Sequence, residues 1–256
     1  MLPDGLLDRV QSLGFDVARG VLTNEHAADL RERLARLAQE DADTRRPEQL
    51  IDANMVHNPM LRDSAFMDLL DNVDLIAAVD GILGDTSIVY AYTTSSMPAG
   101  GSNYSNRIHV DSPRIIENYP TNIGVIIALD DFTAENGATY FLPNSLHRLE
   151  TPSEDEFFRQ ATRVFPRAGD MVVFHARCWH LGGANKTDSP RHAITINFCR
   201  SYMRQRFDYP RMITSEQSNS LSETQRRLLG YNVRVPKSLD EYYVSGEQRL
   251  YKAGQG

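Results

Sequence analysis

Four residues of this chain have the types and spacing to hold a metal ion and a carboxylate. His109 and Asp111 are two positions apart, His180 follows much later, and Arg191 comes eleven residues after it. Two imidazoles and one carboxylate can occupy one face of an octahedral iron(II) ion, which leaves three positions open for a bidentate co-substrate and dioxygen. An arginine nearby would bind the far carboxylate of that co-substrate. If the four residues meet in space, they predict an oxygen-activating site.

The spacing around these residues fits neighbouring β-strands. Side chains at i and i+2 of a strand face the same side, so His109 and Asp111 can bind one ion. Alone this pair is a weak signal, because a His-x-Asp pair often arises by chance and also suits a surface strand-to-loop junction. The later part of the motif is more specific: His180 ends a predicted strand, a glycine-rich turn follows, and Arg191 opens an alternating strand. Thr195 shares the strand face of Arg191 and is either a pocket hydroxyl or an ordinary β-former.

The elements that must position these residues change in character near Asp85. Before it, leucines recur at helical spacing in 24–40, and helical patterns resume in 65–70 and 73–83, with a polar loop predicted at 41–48. After it, short β-branched and aromatic runs between turn residues predict a sandwich or barrel. The predicted strands are 87–94, 107–110, 122–129, 139–142, 162–165, 171–175 and 192–199. From 215 onward we expect a helix over 222–229 and then an extended, tyrosine-bearing tail.

Composition narrows the class of protein. With 256 residues, 41% hydrophobic and 24% charged, the chain has the composition of a globular domain. A net charge of -7 gives no general attraction to nucleic acid or anionic lipid, so neither is an expected partner. Two cysteines are too few for a secreted disulfide scaffold, and the acidic residue and short apolar stretch of the first ten residues do not predict a signal peptide. The longest apolar run is too short to predict a membrane-spanning helix. We expect a soluble, cytoplasmic protein, monomeric or homodimeric.

Several sequence blocks occur here in a fixed order. Gly14-Phe15-Asp-Val-Ala-Arg19-Gly20 precedes the first long helix, and Arg107-Ile-His109-Val-Asp111 carries the metal motif. The further blocks are Ala128-Leu-Asp-Asp-Phe-Thr-Ala-Glu-Asn136-Gly137, Phe141-Leu-Pro143-Asn-Ser-Leu-His147 and Gly169-Asp170-Met-Val-Val-Phe174, followed by His180 and Arg191. In this order the chain resembles the phytanoyl-CoA dioxygenase-like family of iron(II)- and 2-oxoglutarate-dependent oxygenases. The resemblance covers most of the first 200 residues.

The resemblance implies a fold and a ligand set. The fold would be mainly β with flanking helices, built on a double-stranded β-helix, a cupin-like jelly roll whose open end holds the metal. One domain would span 1–256, with a helical part over 1–85, the jelly-roll core over 86–205 and a C-terminal helix and tail over 206–256. His109, Asp111 and His180 would bind iron(II), and Arg191 would pair with the C5 carboxylate of 2-oxoglutarate, with dioxygen as the oxidant.

The chain departs from the family pattern at three places. Ile108 and Val110 flank the first histidine where many relatives have tryptophan and glutamine, and the Pro-Gly-Ser-His turn is one residue longer here. Gly182 stands where some relatives place a serine that helps to hold the co-substrate. None of these changes touches the ligands. Because Asp111 is kept, where related halogenases have alanine or glycine, the resemblance implies hydroxylation, desaturation or ring closure of a small polar metabolite or biosynthetic intermediate.

Substrate contacts are the least determined part of the site. Arg114 follows the metal motif in a proline turn and is either an anion-binding residue at the pocket entrance or a surface arginine. His175 is predicted to share a strand with His180 and to face away from it. The other candidate substrate residues, each with an ordinary structural alternative, are Tyr104, Asn106, His57, Trp179 and Arg200.

Two other classes of protein remain open from the sequence. One is a cupin-type module that binds a metal or small ligand without oxygen chemistry, although such a module needs no arginine anchor. The other is a metal-dependent isomerase or hydrolase that uses zinc at the same three ligands.

Overall fold

The computed structural model describes residues 1–45 and 55–249. Helices dominate the first third and the C-terminal part, and the strands lie between them. The α-helices are α1 (Leu6–Ser12), α2 (Asn24–Thr44), α3 (Ser64–Asp68), α4 (Val73–Leu83), α5 (Glu154–Gln160), α6 (Tyr209–Met212), α7 (Ser215–Ser220), α8 (Glu223–Leu228) and α9 (Leu239–Tyr242). Short 3-10 turns occur at Pro59–Leu61, Leu69–Asp71 and Tyr231–Val233.

The strands form two antiparallel sheets. They are β1 (Phe15–Ala18), β2 (Ile88–Thr94), β3 (Asn122–Ala128), β4 (Tyr140–Phe141), β5 (Thr162–Arg163), β6 (Met171–His175), β7 (His180–Leu181) and β8 (Ala193–Cys199). The large sheet has the order β1-β6-β3-β8-β2 and the small sheet the order β5-β4-β7. The rings of Phe141 and Phe174 meet across the sheets with centroids 5.3 Å apart. This is the expected jelly-roll core with flanking helices, although the helices contain more residues than the short strands.

The helices cover one face of the large sheet because both surfaces are apolar. Leu30 and Leu34 of α2 recur at helical spacing and are fully buried, in the same cluster as Ile123 and Val125 of β3. Alternate residues of β3 face the barrel interior, as the two-residue period of a strand requires. The helical layer therefore fixes one side of each central strand, and the other side is available for the site.

The register of the large sheet aligns the residues of the site. Gly124 of β3 is opposite Phe174 of β6 and Asn197 of β8, and Thr195 is opposite Ile126. A Cβ at Gly124 would lie 2.0 Å from the Phe174 ring, so this ring occupies the space that a side chain at 124 would need. Phe174 therefore lies over the sheet and reaches His180, with the two ring centroids 4.9 Å apart.

Several predicted elements differ from the observed ones. The expected strand 107–110 is reduced to one bridge, in which His109 and His180 exchange backbone hydrogen bonds of 3.0 and 2.9 Å. The expected loop at 41–48 is helical as far as Thr44, because α2 continues and Asp41 bonds with Arg45 and Arg62; 46–48 lie outside the described residues. The sequence analysis did not predict α1, β1 or α5.

The C-terminal region also differs from its prediction. The helix expected over 222–229 is α8, and Leu228 is fully buried in the main core. The tail beyond it is not simply extended, since a 3-10 turn and α9 follow within the described residues. Across 1–45 and 55–249, no helix has both the length and the apolar character needed to cross a bilayer.

Candidate active site

His109, Asp111 and His180 converge at one end of a cavity between the two sheets. Their ligand atoms all lie within 4.8 Å of one another. Oδ1 of Asp111 is 3.6 Å from Nε2 of His109 and 3.9 Å from Nε2 of His180. His180 lies on β7, and the backbone bridge described above places His109 beside it. The cluster therefore presents two imidazole nitrogens and one carboxylate oxygen to a common point.

The hydrogen bonds of both imidazoles fix which nitrogen can bind a metal. Nδ1 of His109 is 2.8 Å from the carbonyl of Arg107, and Nδ1 of His180 is 3.0 Å from the carbonyl of Cys178. A carbonyl only accepts, so each Nδ1 carries the proton and each Nε2 keeps its lone pair. Burial, with the nearby His180, lowers the pKa of His109 to about 4. At neutral pH His109 is therefore uncharged, as a metal ligand must be.

Asn197 orients the carboxylate of Asp111, and the sequence analysis did not identify it. Its Nδ2 donates to Oδ2 of Asp111 over 3.1 Å, which leaves Oδ1 facing the two histidines. Asn122 in turn donates to Oδ1 of Asn197 over 3.5 Å. The sequence did contain a signal for Asn197. It lies two residues after Thr195, so the two side chains are on the same face of β8.

Arg191 also lines this cavity and is buried without a carboxylate partner among the described residues. Its side chain is 3% exposed, its guanidinium lies 3.9 Å above the Phe132 ring, and its Nε has no hydrogen-bond partner. Burial lowers the pKa of Arg191 to about 10, and Asp130 only partly offsets this. Asp130 does not pair with it, because Arg31 and His192 occupy the Asp130 oxygens at 3.0 Å each. Such a cation fits a carboxylate that enters through the cavity.

Hydroxyl groups line the cavity between the metal ligands and Arg191. Ser95, Ser105, Thr139 and Thr195 are all on its wall. Asn103 arranges two of them, since its amide donates to Ser95 Oγ over 3.1 Å and accepts from Ser105 Oγ over 2.6 Å. Ser95 therefore keeps a hydroxyl hydrogen to donate, and Ser105 keeps acceptor lone pairs.

Ser105 also explains why residue 182 is a glycine. A Cβ at Gly182 would lie 2.2 Å from Ser105 Oγ, so the hydroxyl of Ser105 fills the space of a side chain at 182. Tyr104 and Asn106 of the same loop were predicted as substrate residues, and Ser105 was not among the predicted residues. The hydroxyl group next to residue 182 therefore comes from Ser105 and not from a serine at 182 itself.

The predicted substrate residues are distributed over several places. Tyr104 lines the cavity. Asn106 instead donates to the Gly182 carbonyl over 2.7 Å, and His57 bridges Thr93 at the edge of β2 with its side chain exposed.

Trp179 and Arg200 make structural contacts. Trp179 is 5% exposed, packs beside Phe157, and donates its Nε1 hydrogen to the Arg148 carbonyl over 3.1 Å. Arg200 lies 3.8 Å above the Tyr119 ring and donates to two backbone carbonyls. Neither residue is on the wall of the metal cavity.

Arg114 and His175 lie together on a second cavity. The prediction that His175 shares a strand with His180 is wrong, because β6 ends at His175 and a different strand, β7, begins at His180. A backbone turn, in which Cys178 N bonds to the His175 carbonyl over 2.8 Å, separates the two histidines.

Comparison with known proteins gives one family. Residues 10–193 match the phytanoyl-CoA dioxygenase (PhyH) family. The uncharacterized protein Rv1501 of Mycobacterium tuberculosis is 30% identical over 261 residues, covering 99% of this chain and 96% of that protein. The dioxygenase ALT11 of Alternaria alternata is 24% identical over a match that covers 95% of this chain and 88% of ALT11.

A solved structure shares the fold. The epimerase SnoN, in a crystal structure with Fe3+, alpha ketoglutarate and nogalamycin RO, superposes with a TM-score of 0.59. The match has 21% sequence identity and covers 76% of this chain and 82% of SnoN. At this identity the likeness establishes the jelly-roll fold.

Proposed function

The chain belongs to the phytanoyl-CoA dioxygenase family, and on that premise we propose that the cavity described above is the active site of an iron(II)- and 2-oxoglutarate-dependent dioxygenase. His109, Asp111 and His180 would hold iron(II), and Arg191 would bind 2-oxoglutarate. The observation that carries the proposal is one cavity with a three-ligand metal cluster at one end and a buried, unpaired guanidinium at the other.

The residues present fit both groups. Two neutral imidazoles with free Nε2 atoms and one carboxylate are the donor set of non-haem iron(II) oxygenases. The unpaired Nε of Arg191 is the kind of buried polar atom that a ligand satisfies, because leaving it without a partner costs free energy. A cupin-type metal binder or a zinc isomerase or hydrolase would need the ligands but has no use for this anchor.

The protein side chains would position the reactants. Bound here, iron(II) with 2-oxoglutarate and dioxygen supplies the oxidation, in which 2-oxoglutarate becomes succinate and CO2 and one oxygen atom is available for a substrate C–H bond. Arg191 would orient the co-substrate, and Asn197 would hold Asp111 with Oδ1 toward the metal. Ile126 and Phe174 on the wall would limit the entry of water.

The outcome we propose is hydroxylation, or desaturation or cyclisation, of a small polar metabolite or natural-product intermediate. Asp111 supports this because the carboxylate occupies a position that a halide would otherwise need. The hydroxyl groups of Ser95, Ser105 and Thr195 give the cavity a polar wall. The natural-product ligand named in the SnoN structure supports the same substrate class by analogy only.

The test is anaerobic addition of iron(II) and 2-oxoglutarate to the purified protein. We expect the weak visible charge-transfer absorption of a chelated 2-oxo acid, and slow succinate release once oxygen is admitted. Asp111→Ala should weaken metal binding, and Arg191→Ala should weaken the response to 2-oxoglutarate while metal binding persists.

Arg211→Ala is the matched control for the arginine substitution, because the Arg211 side chain is 80% exposed and lies far along the chain in α6. It should behave as the unmodified protein. If the visible absorption and succinate are both absent in the unmodified protein, the proposal fails.

A further inference from the structure

A second cavity has a volume of about 320 Å³. Its walls come from α1, the loop that follows the metal motif and the turn between β6 and β7. It has no lining residue in common with the metal cavity. Two of its lining residues, Arg114 and Arg177, are cations, against the single carboxylate of Asp8, which is exposed; His147 and His175 also line it. The cavity is therefore electropositive.

Arg177 supplies a buried charge that the described residues do not neutralise. Its side chain is 4% exposed, and it donates to the carbonyls of Leu146, Ser112 and Arg148. A guanidinium has five N–H groups, so two remain after these three bonds. No carboxylate in 1–45 or 55–249 forms an ion pair with it, and burial lowers the pKa of Arg177. Because an uncompensated buried charge is costly, an anion in the cavity would be stabilised.

His175 and Arg114 add hydrogen-bond donors on the same walls. Nδ1 of His175 accepts the backbone N–H of Arg177 over 3.0 Å, so the neutral ring carries its proton on Nε2. Burial, with the charge of Arg177, lowers the pKa of His175 to about 4, so the ring is neutral at physiological pH. Arg114 is exposed at the rim and makes no ion pair with a described residue.

Part of the remaining wall is apolar. Ile116 is 50% exposed, and it lines the cavity together with Leu146, Tyr119 and Pro120. A half-exposed isoleucine beside cationic groups suits a ligand with an apolar body and a charged head.

We propose that this cavity binds a small organic anion, with a phosphate or carboxylate head toward Arg177, His175 and Arg114 and an apolar body against Ile116. The site does not depend on the proposed iron chemistry, since the two cavities have separate walls. Its charge comes from Arg177, and its spare donors come from His175 and Arg114.

The test is calorimetric titration of phenyl phosphate, benzoate and inorganic phosphate into the full chain. Binding of phenyl phosphate over benzoate would assign a phosphate head, and the reverse a carboxylate. Either should exceed inorganic phosphate because of the apolar wall. Arg191→Met serves to exclude the metal cavity, and the affinity for phenyl phosphate should be the same in this variant.

Gln11→Glu is the decisive variant, because Gln11 lines the cavity and the change places a carboxylate there without changing the size of the side chain. It should weaken binding by roughly tenfold or more and should stabilise the ligand-free protein, since the new carboxylate would line the same cavity as Arg177 and Arg114. Gln160→Glu, at the exposed end of α5, makes the same chemical change elsewhere and should leave binding unaltered. Equal affinities in the two variants, or no binding of any probe, would overturn the proposal.

Imidazole nitrogen spectra give an independent location. The Nε2 resonance of His175 should shift when phenyl phosphate is added, and that of His180 should not. Binding that moves His180 and spares His175 would also overturn the proposal.

Discussion

Arg191 and Arg177 are both buried and both lack a carboxylate partner within 1–45 and 55–249, but their hydrogen bonding is different. Arg191 is 3% exposed and keeps an unsatisfied Nε over the ring of Phe132. Arg177 is 4% exposed and donates to three backbone carbonyls from different segments of the chain. Arg177 therefore links three segments of the chain, whereas Nε of Arg191 has no partner among the described residues.

The difference shows how one residue type serves two purposes. Carbonyl oxygens accept hydrogen bonds from three of the five N–H groups of Arg177, so its removal would leave these acceptors buried without donors. Arg191 makes no such side-chain hydrogen bonds to the described residues. In the ligand-free protein its burial therefore has the free-energy cost of an unpaired charge. Substitution of each arginine should therefore separate ligand binding from stability.

Arg191→Met is expected to give the largest effect on ligand binding. Loss of the guanidinium should raise the dissociation constant for 2-oxoglutarate by about 100-fold or more, as for truncation of one member of a buried charge pair. The free energy of unfolding should not fall, because methionine fills the space without an unpaired charge. Calorimetry with 2-oxoglutarate and Mn(II), together with urea denaturation, measures both quantities. A variant that unfolds would remove the contrast with Arg177.

Arg177→Met should show the reverse pattern. We expect a loss of about 3 kcal/mol in the free energy of unfolding, because three carbonyls lose their donor. The affinity for 2-oxoglutarate should change far less than in Arg191→Met. Urea denaturation and the same calorimetry provide the comparison. Unchanged stability would mean that the three bonds contribute little and that the two arginines are not different in kind.

Asn197→Leu extends the comparison to the metal ligands. Removing the amide that donates to Asp111 Oδ2 should weaken Mn(II) binding by about tenfold, because the residues that orient a metal ligand typically contribute this much. Electron paramagnetic resonance of free Mn(II) measures the change without catalysis. Thr195→Val, on the same strand face but without a bond to Asp111, is the control. Equal metal affinities in the two variants would show that Asn197 does not position the carboxylate.

The sequence predicted which three residues come together as a candidate metal site, and their ligand atoms lie within 4.8 Å of one another. The two-residue period of a strand predicts that His109 and Asp111 point to the same side. The same period places Thr195 on the face of Arg191, which lies four residues before it. Long β-branched runs also predicted β3, β6 and β8. The strand at 107–110 was overpredicted because only His109 finds a partner there, through the backbone of His180.

The rest of the site depends on contacts between distant segments. β1 pairs with β6 across more than 150 residues, as in Phe15 opposite Phe174, and a four-residue run gives little local signal. Ser105 fills the space above Gly182, and this relation follows from backbone approach and not from spacing. Arg114 was predicted either to bind an anion at the entrance of the metal pocket or to be a surface arginine; its side chain is exposed and lies on the second cavity.

Asp130→Asn tests why Arg191 remains unpaired, and its expected effect is the smallest. Burial alone would raise the pKa of Asp130, but hydrogen bonds from His192 and Arg31 outweigh it and lower the pKa to about 2. A lowered pKa means that the ionised carboxylate stabilises the fold above its ordinary pKa of 3.8, and that this contribution is lost as the pH falls toward about 2. Because the side chain is 20% exposed and solvent screens its charge, we expect Asp130→Asn to cost about 1 kcal/mol at pH 7.

The pH dependence distinguishes this ionic contribution from a packing effect. Urea denaturation should show the difference between the unmodified protein and Asp130→Asn narrowing as the pH falls below about 4. Asp188→Asn, in an exposed turn, should show no such narrowing. If the difference in the free energy of unfolding stays constant from pH 7 to pH 3, Asp130 does not act through its charge. Its bonds to Arg31 and His192 would then not be what prevents Asp130 from pairing with Arg191.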